Sequence, residues 1–380
     1  MSTIEFRRLT LEDGPQFSAF LGHCFGNGFF SRPELYKYWH FDNPAGKSII
    51  YGAFDGDKLV GTNALQKSNL WIHGQKLLAA HSFSSATHPD YRLELIKHDG
   101  KIETIYTRLN TLCRQQAIKE NCRLTYGFPN EKAIIPTIKF AGYKNIGSLK
   151  IFINIFRLAE ILTMKRPAYS KIFCHGITFL PQLIVSARSF FKQKPKGNIQ
   201  IQMVRQIDNE LDQLMNDNVA YYPIIQDRNS AFIQWRFNNF PVLPYCLLTA
   251  RKHGQLLGYL VYVIYPWPER EEHRILCGYI VDFLVRPDNE GDTALYHLLY
   301  HARQHFQKQK TVISTSIHHI PDRYNKIFNQ AGYFVAQKKI IPRLIHFLIR
   351  QESVSNDNIS SQSVNSLGNW YLTLADNDII

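Results

Sequence analysis

Arg92, Lys97, His98 and Lys101 bracket Gly100 in and before the run Lys97-His98-Asp99-Gly100-Lys101-Ile102, ahead of a helical pattern. Such a grouping suits a polyanion. A helix start presents unpaired N–H groups and a partial positive charge, and glycine lets a phosphate approach the backbone. The same residues also read as an exposed charged loop with an ordinary helix cap. A second candidate is His81 in His81-Ser82-Phe83-Ser84-Ser85-Ala86-Thr87, where it is the one side chain of a type that titrates near neutrality. A strand histidine is more commonly a hydrogen-bonded structural residue. Two other motifs are set aside. Ala45-Gly46-Lys47-Ser48 ends like a phosphate loop, but the glycine needed upstream is Phe41 and a strand pattern follows. His318-His319 and six cysteines without CxxC spacing give no ligand set, so no metal is expected.

The elements that must position these residues are written twice. Trp39-His40-Phe41-Asp42-Asn43 is echoed by Trp235-Arg236-Phe237-Asn238-Asn239, and each is followed by a hairpin pattern, around Asp55-Gly56 and around His253-Gly254. Pro89-Asp90 and Pro287-Asp288 then precede helical patterns, and Ala141-Gly142-Tyr143 and Ala331-Gly332-Tyr333 end the units. Recurrence in one order indicates two homologous domains, 1–160 and 198–380, joined by a basic and apolar linker at 161–197. Within each, the order is β-α, an antiparallel meander, then β-α-β-α-β. The expected class is α+β, each domain a twisted, mixed, mostly antiparallel sheet flanked by helices. In the first, Ile102, Ile105, Tyr106, Leu109, Leu112 and Cys113 share a helical face, so the helix is expected to open at Gly100. A helix over Asn130 to Phe140 and a strand from Tyr143 complete it.

Length and charge bound the rest. The 380 residues, 45% hydrophobic, suffice for two cores, and a net charge of +13 with pI near 9.3 suits anionic partners. The cysteines lie mostly in apolar runs and the N-terminus starts directly into a strand pattern, so a reduced, cytoplasmic protein is expected. In the linker, Ile172 to Phe191 is apolar but broken by His175, Pro181 and Arg188, too interrupted to span a bilayer. Helices packing between domains are the expected form; an amphipathic segment with weak peripheral membrane contact is the alternative. Trp39 and Phe41 are expected in packing, with a substrate wall as the alternative. Asp282 is expected to be a satisfied buried acid.

The meander, the strand running into Thr87-His88-Pro89-Asp90-Tyr91-Arg92 and the helix beyond Gly100 resemble the GCN5-related N-acetyltransferase (GNAT) superfamily, in particular its tandem bacterial members. The resemblance spans nearly all of 1–150. It implies a bulged strand leading into an Arg/Gln-x-x-Gly-x-Gly/Ala loop whose amides cradle the pyrophosphate of acetyl-CoA. Here Lys97 stands for Arg/Gln, Ile102 for the usual small residue, and Leu93 to Ile96 are inserted. The acyl donor is thereby assigned to the strand end at Ala86, Thr87 and His88, to Arg92, and to Lys97, Gly100, Lys101 and Ile102. Asn130 is assigned to the pantetheine arm. The usual tyrosine acid is replaced by Ile138, leaving Tyr126 and Tyr143 as substitutes and His81 as the base. In the second unit, Asp288, Glu290 and Asp292 oppose a pyrophosphate, which implies a degenerate domain.

The implied activity is transfer of acetyl from acetyl-CoA to a primary amine, with no nucleic acid partner. A Fem-type aminoacyltransferase and a non-catalytic acyl-CoA-binding module are the alternatives. Acceptor and oligomeric state are not written in these residues.

Overall fold

The runs on either side of His73-Gly74 and of His253-Gly254 are antiparallel hairpins, and both turns have positive φ at their two central residues (49° and 78°; 50° and 83°). That conformation gives a two-residue turn the twist its strands require. The computed structural model describes residues 4–26, 28, 31–98, 101–166, 173–180, 195–205, 209–267, 274–336, 344–352 and 361–377. The chain divides into two compact units: Met1–Ser148 with Ile224–Asp227 and Leu344–Asn369, and Leu149–Pro223 with Arg228–Arg343 and Trp370–Ile380.

In the first unit β1 (Ile4–Arg8), β2 (Ile49–Asp55), β3 (Lys58–Ile72) and β4 (Gln75–Thr87) form an antiparallel row. β4 then lies parallel to β7 (Leu124–Gly127), and β16 (Ile345–Gln351) is antiparallel to β7. β10 (Ile224–Gln226) pairs with the far end of β3, and β5 (Leu95–His98) and β6 (Lys101–Thr104) make a separate hairpin. α1 (Gly14–Phe25) and α2 (Pro33–His40) precede the meander, and α3 (Ile105–Lys119) and α4 (Ile134–Ala141) flank β7 in sequence. α3 buries Ile105 and Leu109 against Ala53 and Val60, and Cys113 and Ala117 against Ile49, Leu65 and Ala80. Gly61 permits this approach, since a Cβ there would stand 2.8 Å from Ile105 Cγ2.

The second unit repeats the row. β9 (Gln200–Val204), β11 (Cys246–Lys252), β12 (Gln255–Trp267) and β13 (Ile275–Val285) are antiparallel, and β13 is parallel to β14 (Ile313–His318). Residues 150–155 of β8 (Lys144–Ile155) pair antiparallel with β14, and β15 (Phe334–Val335) pairs with β8. α5 (Leu158–Lys165), α6 (Glu210–Val219), α7 (Asn289–Lys308) and α8 (Asp322–Gln330) belong here, with β17 (Trp370–Tyr371) near the chain's end. Ala294, Leu295, Leu298, Leu299, Ala302 and Phe306 form the buried stripe of α7.

Two expectations change. The helix expected from Gly100 begins at Ile105, because Thr104 caps it by accepting from Thr107 N at 3.2 Å, while Lys101 to Thr104 pair back onto Leu95 to His98. The strand from Tyr143 does not lie beside β7 in the first sheet. Its second half joins β14, and β16, from the far end of the sequence, takes the place beside β7. Residues 173–180 are helical, with Phe173, Ile177, Phe179 and Leu180 exposed; 181–194 lie outside the described residues.

Each unit seals an ion cluster. In the first, Arg350 donates from Nε to Glu352 at 2.7 Å and from Nη1 to Ala141 O at 2.7 Å, and Glu352 also accepts from Thr125 (2.8 Å) and Arg114 (3.0 Å). In the second, fully buried Arg228 donates to Asp282 (3.0 Å), Asp376 (2.7 Å) and Thr373 (3.0 Å), and Asp282 also accepts from Tyr259 (2.7 Å) and Thr373 (2.7 Å). Asp282 is thus a satisfied acid. Burial raises the Asp376 pKa, with Arg228 opposing.

Arg228→Met removes the cation and leaves two carboxylates sealed, so stability should fall by about 3–5 kcal/mol, read from the denaturant midpoint. A change under about 1 kcal/mol would show that the cluster is not what holds this core.

Acid should also destabilise the fold through two buried histidines. Burial lowers the pKa of His40 and of His318 to about 3. Their unfolded value is about 6.5, so between about pH 6.5 and 3 the unfolded chain binds protons that the native chain does not. Stability should therefore fall with decreasing pH across that window, by up to about 1.4 kcal/mol per unit for each group. His318→Asn should flatten the slope by about one proton in denaturation curves taken at several pH values.

Candidate functional site

Parallel pairing between β4 and β7 covers Ala79↔Leu124, Ala80↔Thr125 and His81↔Tyr126 and then stops. β7 ends at Gly127 while β4 runs on to Thr87, paired with β3 alone among the described residues. The strands therefore part after His81. Just beyond, β4 carries a bulge: Thr62 faces Ala86 and Ala64 faces Phe83, so Ser84 and Ser85 together oppose Asn63, and Ser84 has φ 53°. Thr62 Oγ1 donates to Ser84 O at 2.9 Å, and Ser85 Oγ donates to Asn63 Oδ1. Asn63 is buried, and its Nδ2 has no hydrogen-bond partner among the described residues. An unpaired strand edge beside a buried spare donor can accept an extended, amide-bearing ligand.

On one face of this parting lies an aromatic layer. His81 is 4% exposed, with ring centroids 5.3 Å from Tyr126, 5.9 Å from Phe83 and 5.8 Å from Phe128. Tyr126 OH donates to Ser68 Oγ at 3.1 Å. Gln66, directly opposite His81, donates to Trp39 O at 2.8 Å and ties α2 to this face. Trp39 is buried with its ring edge-on to Phe83, and Phe41 is half-buried against Tyr36. Tyr143 packs elsewhere in the unit, with Ala141, Leu348 and Tyr106, beneath the Arg350 guanidinium at 4.6 Å. Ile138 is partly exposed on α4, and Asn130 Oδ1 accepts from Lys132 N and Ala133 N at 3.1 Å, which organises the turn into α4.

Beyond the bulge, β4 ends in a basic turn. Ala86 is buried, Thr87 O accepts from Arg92 Nε at 3.3 Å, and His88 N donates to Val60 O at 2.8 Å. Tyr91 OH donates to Asp55 at 2.6 Å, which fixes the turn on the β2–β3 hairpin. The His88 ring stacks on His23 at 4.6 Å, and burial with the nearby Lys58 lowers its pKa. Lys97 is exposed on β5 and Lys101 lies on β6. Ile102 is 71% exposed on β6 and not on the helix face that its spacing predicts. Gly100, the intended phosphate cradle, lies outside the described residues, between β5 and β6.

The second unit has the same parting and bulge but a closed helix start. β13 pairs with β14 only from Cys277 to Ile280, and its register against β12 shifts at Val281. Asp288 Oδ1 then accepts from Gly291 N at 2.8 Å, and a Cβ on Gly291 would stand 1.9 Å from Arg286 O. Arg286 pairs with Asp288 (2.6 Å) and Arg323 with Asp292 (3.5 Å). The amides and cations that would meet an anion are engaged internally.

Sequence reasoning missed two participants, Asn63 and Thr104, and reached the bulge only through the family resemblance. Asn63 carried no motif. Thr104 was hidden by the apolar spacing across it, whereas the bulge had a signal in the small run Ser84-Ser85-Ala86, which packs poorly as a regular strand.

Known proteins share this arrangement. A family model for the acetyltransferase (GNAT) domain matches residues 5–129. No curated protein matches the chain by sequence. Among solved structures, a GCN5-related N-acetyltransferase from Anabaena variabilis ATCC 29413 is 14% identical, with a TM-score of 0.61 over 92% of this chain and 73% of that one. N-myristoyltransferase of Saccharomyces cerevisiae, with bound myristoyl-CoA, is 10% identical, with a TM-score of 0.62 over 92% and 83%. A conserved protein of unknown function from Enterococcus faecalis V583, a probable N-acyltransferase, is 14% identical, with a TM-score of 0.59 over 92% and 73%. Residues 5–129 thus match the acetyltransferase (GNAT) domain, and the chain has the fold of GNAT proteins.

Proposed function

We propose that this chain is an acyl-CoA-dependent N-acyltransferase that moves acetyl from acetyl-CoA to a primary amine, using the first unit. The observation that carries the reading is the parting of β4 from β7 after His81, beside the bulge at Ser84 and within the segment matched as a GNAT domain. The residues present fit an acyl-CoA. The free edge of β4 and the spare Asn63 Nδ2 suit a pantetheine arm, and Arg92, Lys97 and the start of α3 suit its phosphates. When bound, acetyl-CoA supplies a thioester carbonyl; overall an N–C bond forms, the C–S bond breaks, and the ammonium nitrogen gives up two protons, one before attack and one after it, of which one ends on the thiolate and the other leaves to solvent. His81, at the parting, takes the first proton, with Tyr126 in ring contact. Tyr143 or Tyr126 returns the second. Trp39 and Phe41 border the acceptor side.

The acceptor is an amine, and the closed helix start at Asp288 supports a single donor site per chain. Acetyl as the acyl group rests on the family match, and a series of longer acyl-CoA thioesters tests it directly.

Calorimetry with acetyl-CoA checks the site. Arg92→Glu reverses a charge at the strand end and should weaken binding at least about tenfold. Native mass spectrometry at saturating acetyl-CoA should show one adduct per chain; two adducts of similar affinity would mean that the second unit also binds.

A thiol-release screen over amine acceptors checks the chemistry. His81→Ala should lower kcat about a hundredfold with acetyl-CoA affinity unchanged. Tyr143→Phe and Tyr126→Phe in the same assay separate the two candidate acids. Donor binding without turnover across sugars, polyamines and peptides would instead indicate a non-catalytic module.

A further inference from the structure

The helix at 173–180 is amphipathic in the wrong sense for a soluble core. It buries Cys174 and turns Phe173, Ile177 and Leu180, spaced i, i+4, i+7, to the outside, with Phe179 beside them across Gly176. Those four side chains are 52%, 53%, 71% and 62% exposed in the order Phe173, Ile177, Leu180, Phe179. A contiguous apolar stripe of this kind marks a contact surface. Its surroundings indicate the partner. From Met164 to Gly197 the sequence holds seven Lys and Arg and no Asp or Glu, within a chain whose net charge is +13. Lys165, Arg166 and Lys196, the described basic residues at its ends, are exposed. A protein partner offering only an apolar groove would leave this one-signed charge unanswered, whereas an anionic bilayer answers both features at once. No helix among the described residues is long and apolar enough to cross a membrane, so the contact is interfacial.

We propose that the helix at 173–180 lies on anionic phospholipid membranes, with Ile177, Phe179 and Leu180 in the acyl boundary and Lys165, Arg166 and Lys196 at the headgroups. The proposal does not rest on the acyl-transfer reading. It predicts an attachment with two parts, a charge part that salt screens and an apolar part that salt leaves in place.

The test is flotation of the full chain with vesicles of phosphatidylcholine alone or mixed with phosphatidylglycerol. Binding is expected only with phosphatidylglycerol, and a fraction should persist at about 1 M salt, where the Debye length is about 3 Å. Phe179→Ser with Leu180→Ser should lower partitioning about tenfold or more without changing the melting temperature, because both side chains are exposed. Lys165→Glu with Arg166→Glu should weaken binding at low salt only. A Phe179→Trp variant should be quenched by brominated lipid, which reads insertion independently of affinity. The proposal is overturned by absence of flotation with phosphatidylglycerol, or by full release in salt with no effect of the serine variant. It is equally overturned if the serine variant leaves vesicle binding intact but converts an oligomer to a monomer in sedimentation, since a second copy would then cover the stripe.

Discussion

Three residue pairs hold β4 against β7, and the arrangement of the site depends on where that pairing stops. A parallel ladder that continued would bury the β4 edge and leave no room for a ligand. It stops because the two strands are shaped differently. β7 is four residues long and ends at Gly127, where a Cβ would stand 3.2 Å from Ser82 O, so a side chain there would crowd β4. β4 continues, and the bulge at Ser84 and Ser85 turns its backbone away from the regular pleat. Holding a non-glycine residue at φ 53° costs about 1–2 kcal/mol, offset by the hydrogen bonds from Thr62 and Ser85 around it. Strain of that kind, beside a buried amide with a spare donor, is the local feature on which the proposed donor site rests.

The two units share this frame and differ in what meets an anion at its end. The first ends in Arg92 and a hairpin bearing Lys97 and Lys101 before a threonine-capped helix. The second places Asp288, Glu290 and Asp292 in the cap and first turn and engages them with Arg286, Lys252 and Arg323. Each carboxylate there favours the helix start, so the charges that stabilise the start of α7 are the same ones that would oppose a pyrophosphate.

Much of this was legible locally. The hairpins at His73-Gly74 and His253-Gly254, the buried stripe of α7 and the recurrence of Trp39 and Trp235 follow from turn chemistry and periodicity, which act over a few residues. The start of α3 was not, because Ile102 fits the helical spacing of Ile105 and Leu109 as well as it fits a strand next to Lys101 and Glu103. Only the cap at Thr104 decides between them. His81 was legible as a residue of interest, but not its enclosure between Phe83, Tyr126 and Phe128, which comes from three separate strand positions and a loop. The outward stripe at 173–180 was hidden for the opposite reason: an apolar run predicts burial, and burial is what the fold withholds.

Exchange of the sixth strand is the clearest case of information that no local pattern contains. Both sheets leave the same kind of edge, β7 in one unit and β14 in the other, and both halves of the chain provide a strand for it. What selects β16 for β7 is charge. Arg350 on β16 reaches Ala141 O at the end of α4, and Glu352, next to the strand, receives Arg114 from α3 and Thr125 from β7. In its own pairing segment β8 carries one cation, Lys150, which meets Asp322 at 3.5 Å, and no Arg–Glu pair. Were β8 to take that edge instead, the partly exposed Arg114 and the buried carbonyl of Ala141 at the end of α4 would lose their partners. The ion cluster therefore acts chiefly as a register and identity device. By fixing β7 on its far side, it also lets the near side of β7 part from β4.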